Sequence, residues 1–147
     1  MGHSLATPSI AWIAGFFDGD GCVALLKKPR GEGHGYVPHM ALAQSERTIL
    51  EAVQKVIGCG TIHETKGSSL SRKPSYALHW SGKNFMIASS RLLKQSVIKR
   101  AEMLLVREFS RKWSNRKLNG DRHLIQSREQ HADQVRHQLQ ALKGALT

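Results

Sequence analysis

The sequence predicts an α+β fold with the element order αββαββα, followed by a C-terminal helical extension. Two observations carry this prediction. Stretches with apolar residues at helical spacing alternate with pairs of shorter stretches in which apolar residues recur at every second position. Glycine-rich or polar turn segments separate these stretches. Beyond the duplication of strand pairs, no internal repeat is visible.

Length and charge limit the class of protein. A chain of 147 residues is most naturally one domain and is long enough to bury a core. Lysine and arginine number 22 against 11 acidic residues, which gives a formal charge of +11 and a pI near 10.2. This balance favours a polyanionic partner. A basic membrane binder is the competing interpretation, but no apolar run approaches the ~20 residues of a membrane span and the N-terminus lacks a signal-peptide pattern.

The two cysteines, Cys22 and Cys59, lack the spacing of a metal site. Both are expected to be small packing residues in strand contexts. Cysteines of this kind indicate a reducing compartment, so we expect the protein in the cytoplasm of a bacterial or phage host or in an organellar matrix.

The first helix is predicted to begin after Ser9, which is a suitable N-cap. Gly19 and Gly21 interrupt the helix, and a strand-like run, CVALL, starts at Cys22. A helix is therefore expected to pass directly into a strand. The apolar positions that give the helical spacing are Ile10, Ile13, Ala14 and Phe17.

Two carboxylates, Asp18 and Asp20, lie at this junction. The last turn of a helix carries unpaired carbonyl groups and the negative end of the macrodipole, so acids there are unfavourable. A divalent cation would offset that cost, because it binds carboxylate and carbonyl oxygens and the glycines let the backbone approach closely. The junction is therefore a candidate metal site.

Small residues recur at every fourth position of the same helix, at Ala11, Gly15 and Gly19. Such a stripe lets two helix backbones pack closely. If two copies of the chain cross at Gly15, their Asp20 carboxylates meet and need shared metal. The alternative is an ordinary buried helix followed by a glycine-rich turn, which leaves the acids and the stripe unexplained.

Alternation divides the first two strands between two faces of a sheet. Val23 and Leu25 share one face of the first strand, and Lys28 lies on the other. Residues 27–35 are predicted to form a glycine-rich basic loop. The second strand is expected over residues 36–44.

A second helix is predicted between Ser45, as its cap, and Gly58, as the residue after its last turn. Ser81 is a possible cap for the third helix. The predicted boundaries are residues 60–66 and 75–80 for the third and fourth strands, 67–74 for the loop between them, and about 83–93 and 98–109 for the third and fourth helices.

The last part of the chain is rich in lysine, arginine, glutamine and histidine. Residues 110–122 have the composition of a basic linker, and residues 129–142 have apolar positions at helical spacing. We therefore expect a core domain over residues 1–110 and a basic extension with a helix over residues 111–147. The sequence leaves open whether this extension packs on the core or lies along phosphates.

The segment IAGFFDGDG at residues 13–21, preceded by Trp12, closely resembles the signature of the LAGLIDADG homing endonucleases. A less specific second block of the family resembles the segment from Gln44 to Gly60, so the resemblance covers roughly residues 10–110. The positions that match the signature directly are Ala14, Gly15, Asp18, Asp20 and Gly21.

The resemblance implies a homing-endonuclease-like fold, in which helices cover one face of a saddle of four antiparallel strands. Because the chain carries one signature, the resemblance also implies a homodimer that binds a long, near-palindromic double-stranded DNA target. The expected dimer-interface residues are Ala11, Trp12, Gly15, Phe16 and Gly19.

The free face of such a sheet would read base edges in the major groove. For any single residue on it, a solvated strand position is an equal alternative, whereas for the group DNA contact is favoured. The candidate DNA-binding residues are Lys28, Arg30, His39, His63, Thr65, Arg72, Lys73 and His79.

The resemblance further implies hydrolysis of phosphodiesters in both DNA strands, with Mg²⁺ or Mn²⁺ as cofactor and Ca²⁺ as a non-cleaving substitute. Asp20 and the carbonyl of Gly19 are the expected metal ligands. Asp18 is expected to be structural, because the metal-binding acid of the family is the second of the two.

Two further catalytic residues are expected from the resemblance. Gln44 matches a position that helps to order the attacking water or a metal, although a polar residue beside a helix is an alternative interpretation. Lys99 is the nearest match to a lysine beside the cleaved phosphate, with Lys94 as the other candidate.

Two other functions fit the sequence. An RNA maturase or a DNA-binding repressor would keep the fold without cleaving DNA, and a plain basic structural protein would dimerise through the Gly15 helix and bind nucleic acid without sequence preference. The target sequence itself depends on register and DNA shape, which the chain does not encode in any local pattern.

Overall fold

The computed structural model describes residues 6–30, 33–65, 74–114 and 116–145, apart from the side chains of residues 30, 33, 34 and 145. It confirms the α+β class and the predicted element order. The elements are α1 (Ile10–Asp20), β1 (Gly21–Arg30), β2 (Gly33–Gln44), α2 (Arg47–Ile57), β3 (Thr61–Thr65), β4 (Ser75–Ser81), α3 (Lys83–Leu92), α4 (Arg100–Trp113) and α5 (Arg122–Ala145).

The four strands form one sheet in the order β1-β2-β4-β3, and every neighbouring pair is antiparallel. One face of the sheet is buried under the helices, as the alternation of apolar residues predicts. None of the helices in the described part of the chain has the length and hydrophobicity of a membrane span. The strand residues of the core are Val23, Leu25, Met40, Leu42, Leu78 and Trp80.

The first hairpin is longer than predicted. The expectation of a loop over residues 27–35 is wrong, because β1 continues to Arg30 and β2 begins at Gly33, with Lys28 paired to Gly35. Glycine costs about 0.5–1 kcal/mol in a strand, and the cross-strand pairing of β1 with β2 offsets that cost. Cys22, expected to pack, is exposed, whereas Cys59 is half-buried.

Two predicted serine caps are wrong. α2 starts after Glu46 without a side-chain cap, and the amide of Ser45 instead donates to the side chain of Gln44. Ser81 is the last residue of β4, and Gly82, at a φ of 60°, starts α3. The C-terminal end of α2 is as predicted, since Gly58 has the left-handed conformation that a side chain disfavours.

The two last helices are longer than predicted. α4 reaches Trp113, so the first residues of the expected linker are helical, and the proposed domain division at residue 110 stays a prediction. α5 begins at Arg122, where the carboxylate of Asp121 accepts hydrogen bonds from the first amides. Its apolar positions Ala132, Val135 and Leu139 join the core. The extension therefore packs on the core.

Candidate functional site

The two faces of α1 have opposite surroundings. The side chain of Ser9 caps the helix by accepting a hydrogen bond from the amide of Trp12 at 3.0 Å, as predicted. On the inward face, Ile13, Ala14 and Phe17 are completely buried. On the outward face, Trp12 is 51% exposed and packs edge to face against Phe16. Within the described part of the chain, the outward face is therefore apolar and uncovered.

The glycines of this segment differ in whether the folded chain leaves room for a side chain. A Cβ at Gly21 would lie 2.3 Å from the ring of Phe17, so the turn from α1 into β1 requires glycine there. A Cβ at Gly15 or Gly19 would meet no atom within 4 Å among the described residues, apart from its chain neighbours and the adjacent backbone of α1. Glycine in a helix costs about 1 kcal/mol relative to alanine. Nothing in the part of the chain that the structure describes accounts for that cost at Gly15.

Asp20 and Gln44 lie together beside the outward face of α1. Asp20 is exposed at the last position of the helix, and Gln44 is the last residue of β2. Both line one open groove, whose other lining residues are Ala11, Trp12, Gly15, Phe16 and Ile49. The structure thus brings two of the predicted catalytic residues next to most of the predicted dimer interface.

Asp18, only two residues away, is fully engaged by its own chain. Its carboxylate accepts hydrogen bonds from the hydroxyl of Ser96, from the amide of Val97 at 2.7 Å and from the amide of Lys99 at 3.0 Å. Burial raises the pKa of Asp18, but these hydrogen bonds together hold it below its ordinary value. Asp18 therefore ties the end of α1 to the segment that leads into α4, in agreement with the structural role expected for it.

Lys99 lies beside Asp18 through its backbone, but its side chain has another partner. Its amine is 3.5 Å from the carboxylate of Glu102, and the two side chains are only 14% and 1% exposed. Neither oxygen of Glu102 has a hydrogen-bond partner in the described part of the chain, so this ion pair compensates its burial. Lys94 is exposed in the turn after α3. Sequence reasoning missed Glu102, although it lies one helical turn after Lys99.

A divalent ion finds only part of its ligand set in one copy of the chain. Among the described residues, no group of three or more histidines, cysteines and acids is placed to hold a metal. Asp20 contributes one exposed carboxylate, next to the exposed Gly19. Divalent ions need several oxygen ligands. The residues present fit a metal only if a second copy or a bound phosphate completes the set.

The sheet face opposite the helices carries the predicted DNA-binding side chains. Lys28, His63 and Thr65 are exposed on it, and His39 and His79 are half-buried. The hydroxyl of Thr65 donates to the carbonyl of Ser75. Arg72, Lys73 and the side chain of Arg30 lie outside the described residues.

Three of these residues form a continuous cluster of imidazoles across β2, β4 and β3. The ring centroids of His39 and His79 are 5.1 Å apart, and those of His63 and His79 are 5.5 Å apart. Burial, and then the neighbouring His79 and Lys28, lower the pKa of His39 below its ordinary value. Burial and His63 lower the pKa of His79 in the same way. The sequence placed these residues on one face but did not indicate that they touch.

Comparison with known proteins agrees with this geometry. The model of the LAGLIDADG endonuclease family matches residues 13–89. A search of curated proteins finds no match. Among solved structures, the homing endonuclease I-CvuI in complex with its target in the presence of 2 mM Ca is 26% identical, with a TM-score of 0.68 over 86% of this chain and 78% of that one.

Two further solved structures share the fold at lower identity. The archaeal intron-encoded homing endonuclease I-Vdi141I complexed with DNA is 19% identical, with a TM-score of 0.70 over 90% of this chain and 82% of that one. The homing endonuclease I-TnaI is 17% identical, with a TM-score of 0.70 over 97% of this chain and 100% of that one. The family match spans more than half of the chain and includes most of α1, its two acids and the sheet. The chain therefore belongs to the LAGLIDADG endonuclease family, as a member with a single signature.

Proposed function

We propose that this protein is a site-specific homing endonuclease that works as a homodimer on a long, near-palindromic DNA duplex and hydrolyses both strands with a divalent metal. One observation carries the proposal. The only face of α1 that the chain leaves uncovered, among the described residues, is apolar, contains two glycines that its own packing does not need, and ends at Asp20.

A second copy of α1 is the occupant that suits this face. Helices that cross at glycine bring their backbones close, and the Trp12 and Phe16 rings, which pack together beside Gly15, supply apolar area to bury. A two-fold axis at the crossing would also bring together the two Asp20 carboxylates. Like charges at short distance repel, so this arrangement favours a shared cation.

The chemistry follows from the side chains around that point. The two Asp20 carboxylates, with the Gly19 carbonyls, would hold Mg²⁺ or Mn²⁺, which neutralises phosphate charge and generates a hydroxide-like nucleophile, whereas Ca²⁺ would support binding only. Gln44 lines the same groove, which supports the proposal that its amide would orient a water molecule. Cleavage of both strands then needs one such site per strand.

Binding energy and sequence recognition come from the free sheet face and the charge of the chain. A formal charge of +11 favours phosphate contacts whose strength falls with salt. Lys28 and the histidine cluster lie where a strand pair inserted in the major groove would meet base edges. Arg30, Arg72 and Lys73 are expected to extend this surface.

A second candidate, a repressor or RNA maturase that does not cleave DNA, is favoured by one observation. The amine of Lys99 is paired with the buried Glu102 rather than standing free beside the phosphate site. If cleavage needs a free lysine near Asp20, the exposed Lys94 must supply it or cleavage is absent.

The test begins with duplexes selected from a randomised pool by the purified protein in Ca²⁺. We expect the selected duplexes to be near-palindromic and to be cut in both strands when Mg²⁺ replaces Ca²⁺. Asp20→Asn should keep binding and lose cutting, whereas Asp133→Asn, which removes an exposed acid of α5, should keep both. Selection without any cutting would instead support the non-cleaving candidate, and uniform, salt-governed binding would contradict both.

A further inference from the structure

A chain of hydrogen bonds runs across the free face of the sheet. The hydroxyl oxygen of Ser81 lies 2.8 Å from Nδ1 of His39, its cross-strand neighbour. Nε2 of His39 lies 3.2 Å from Nδ1 of His79. Nε2 of His79 is the last atom of this series of hydrogen bonds and has no hydrogen-bond partner among the described residues. Three side chains from β2 and β4 are thus linked from an anchored hydroxyl to a free ring nitrogen.

Only two neutral proton arrangements satisfy this chain. In the first, the hydroxyl of Ser81 donates to Nδ1 of His39, and Nε2–H of His39 donates to Nδ1 of His79. Nε2 of His79 then carries a proton that it can donate. In the second, every bond is reversed and Nε2 of His79 presents a lone pair. Ser81, at the other end of this series of hydrogen bonds, therefore determines whether Nε2 of His79 carries a proton.

We propose that Ser81, His39 and His79 act as one readout unit, in which Ser81 donates to His39 and so makes Nε2 of His79 a hydrogen-bond donor toward DNA. Ser81 is the positioning residue of this unit and His79 the contacting one. The inference rests on the proposed DNA-binding function. The matching partner is an acceptor of a base edge, such as N7 or O6 of guanine.

The electrostatic surroundings favour the donor state. Among the described residues, the charged and titratable groups that act on the two rings are Lys28 from β1, His63 from β3 and the rings themselves, and no carboxylate is among them. The surface of DNA is by contrast rich in acceptors and negative charge. A donor at the free nitrogen is therefore the state that gains most from binding.

The unit also keeps its donor when it takes up a proton. A proton from solvent that binds Nδ1 of His39 turns the hydroxyl of Ser81 from donor into acceptor, because a serine hydroxyl can do either. The bond from His39 to His79 and the outer Nε2–H of His79 are unchanged. We therefore expect DNA binding to strengthen as the pH falls, while the preferred base stays the same.

The first test uses the free protein. In ¹⁵N spectra of the imidazole rings at pH 7.5, we expect both His39 and His79 in the Nε2–H form. Ser81→Ala should shift His79 toward a mixture of both tautomers, whereas Ser81→Thr, which keeps the hydroxyl, should restore the single form. A wild-type His79 in the Nδ1–H form, or an unchanged spectrum in Ser81→Ala, would overturn the proposal.

The second test selects duplexes from a randomised pool at pH 7.5 and at pH 6.0 in Ca²⁺. The wild type should prefer the same acceptor-bearing base at both values, with affinity rising by up to about tenfold per pH unit for one proton taken up. Ser81→Ala should lose the preference at one base pair per half-site, and Ser81→Thr should retain it. If the wild type selects DNA but Ser81→Ala selects the same sequences, only the readout unit is refuted. If the wild type selects nothing, the proposed function fails with it.

Discussion

The inward and outward faces of α1 differ in whether the chain itself packs against them. On the inward side, Ile13 and Phe17 are buried and Gly21 is required by a close contact with Phe17. On the outward side, Trp12 is half exposed and Gly15 touches nothing that would forbid a side chain. The inward residues are explained by the fold of one chain. The outward residues need something outside it, and that difference marks the functional face.

The two acids repeat this contrast over a distance of two residues. Successive helix positions are about 100° apart, so Asp18 and Asp20 point about 200° apart around the axis. Asp18 meets Ser96 and the backbone before α4, whereas Asp20 faces the open groove. One carboxylate therefore serves stability and the other is available for a metal ion.

The largest expected effect is on cleavage, and it separates the two acids. Asp20→Asn should lower the rate of DNA cleavage about a thousandfold, because the loss of a metal-binding carboxylate removes several kcal/mol of transition-state stabilisation. Single-turnover cleavage in Mg²⁺ measures the rate. The thermal midpoint should not fall, since Asp20 makes no contact with the described residues that holds the fold together and a negative charge at the last position of a helix is unfavourable. A variant that cuts normally would remove Asp20 from the site.

The next largest effect concerns the outward face. Gly15→Leu should weaken dimerisation about 10- to 100-fold, because an inserted side chain at a close helix crossing costs about 1–3 kcal/mol. Sedimentation equilibrium measures the association. The stability of the monomer should not fall, since no side chain of the described residues occupies the space beside Gly15.

The matched substitution on the inward side is Gly21→Ala. It should lower the free energy of unfolding by about 1–3 kcal/mol, because its Cβ would clash with Phe17. Urea denaturation at a low protein concentration measures the change. If Gly15→Leu destabilises the monomer as much as Gly21→Ala, the distinction between the two faces of α1 is wrong.

Asp18→Ala tests the inner acid. It should lower the free energy of unfolding by about 2 kcal/mol, since three hydrogen-bond donors lose a charged acceptor. The pKa of Asp18 is lowered from the ordinary 3.8 of an aspartate, so its contribution is complete above that pH and is lost as the pH falls through the lower value of the folded state. Denaturation curves of the variant should therefore depend less on pH in that acidic range than those of the wild type.

The smallest expected effect is the contribution of the histidine cluster to the pH dependence of folding stability in the absence of DNA. The pKa values of His39 and His79 lie below the ordinary 6.5, so the unfolded chain binds more protons than the folded one near that pH. Stability should be complete above about pH 6.5 and decline modestly as the pH falls below it. Urea denaturation of the wild type and of His79→Gln at pH 7.5 and 5.5 measures the decline, which should be smaller in the variant. An equal decline in both would show that folding does not lower the pKa of His79.

Elements whose signals are local could be predicted well. The Ser9 cap, the junction at Asp20, the αββαββα order and the inward strand residues all follow from spacing within a few positions. Predictions failed where the local structure depends on a partner that is distant in sequence. β1 and β2 continue through a glycine-rich segment because they pair with each other, and Ser81 bonds to His39 instead of capping α3.

The sequence by itself determined the family, the fold class and which residues of α1 are small, apolar or acidic, because periodicity and capping act between near neighbours. Only the tertiary structure decided that Asp18 is engaged by Ser96, that Lys99 is paired with Glu102, and that His39 and His79 form one chain with Ser81. Each of these contacts depends on the angle at which one element meets another. That angle is set by the packing of the whole core, so no single stretch of the sequence predicts it.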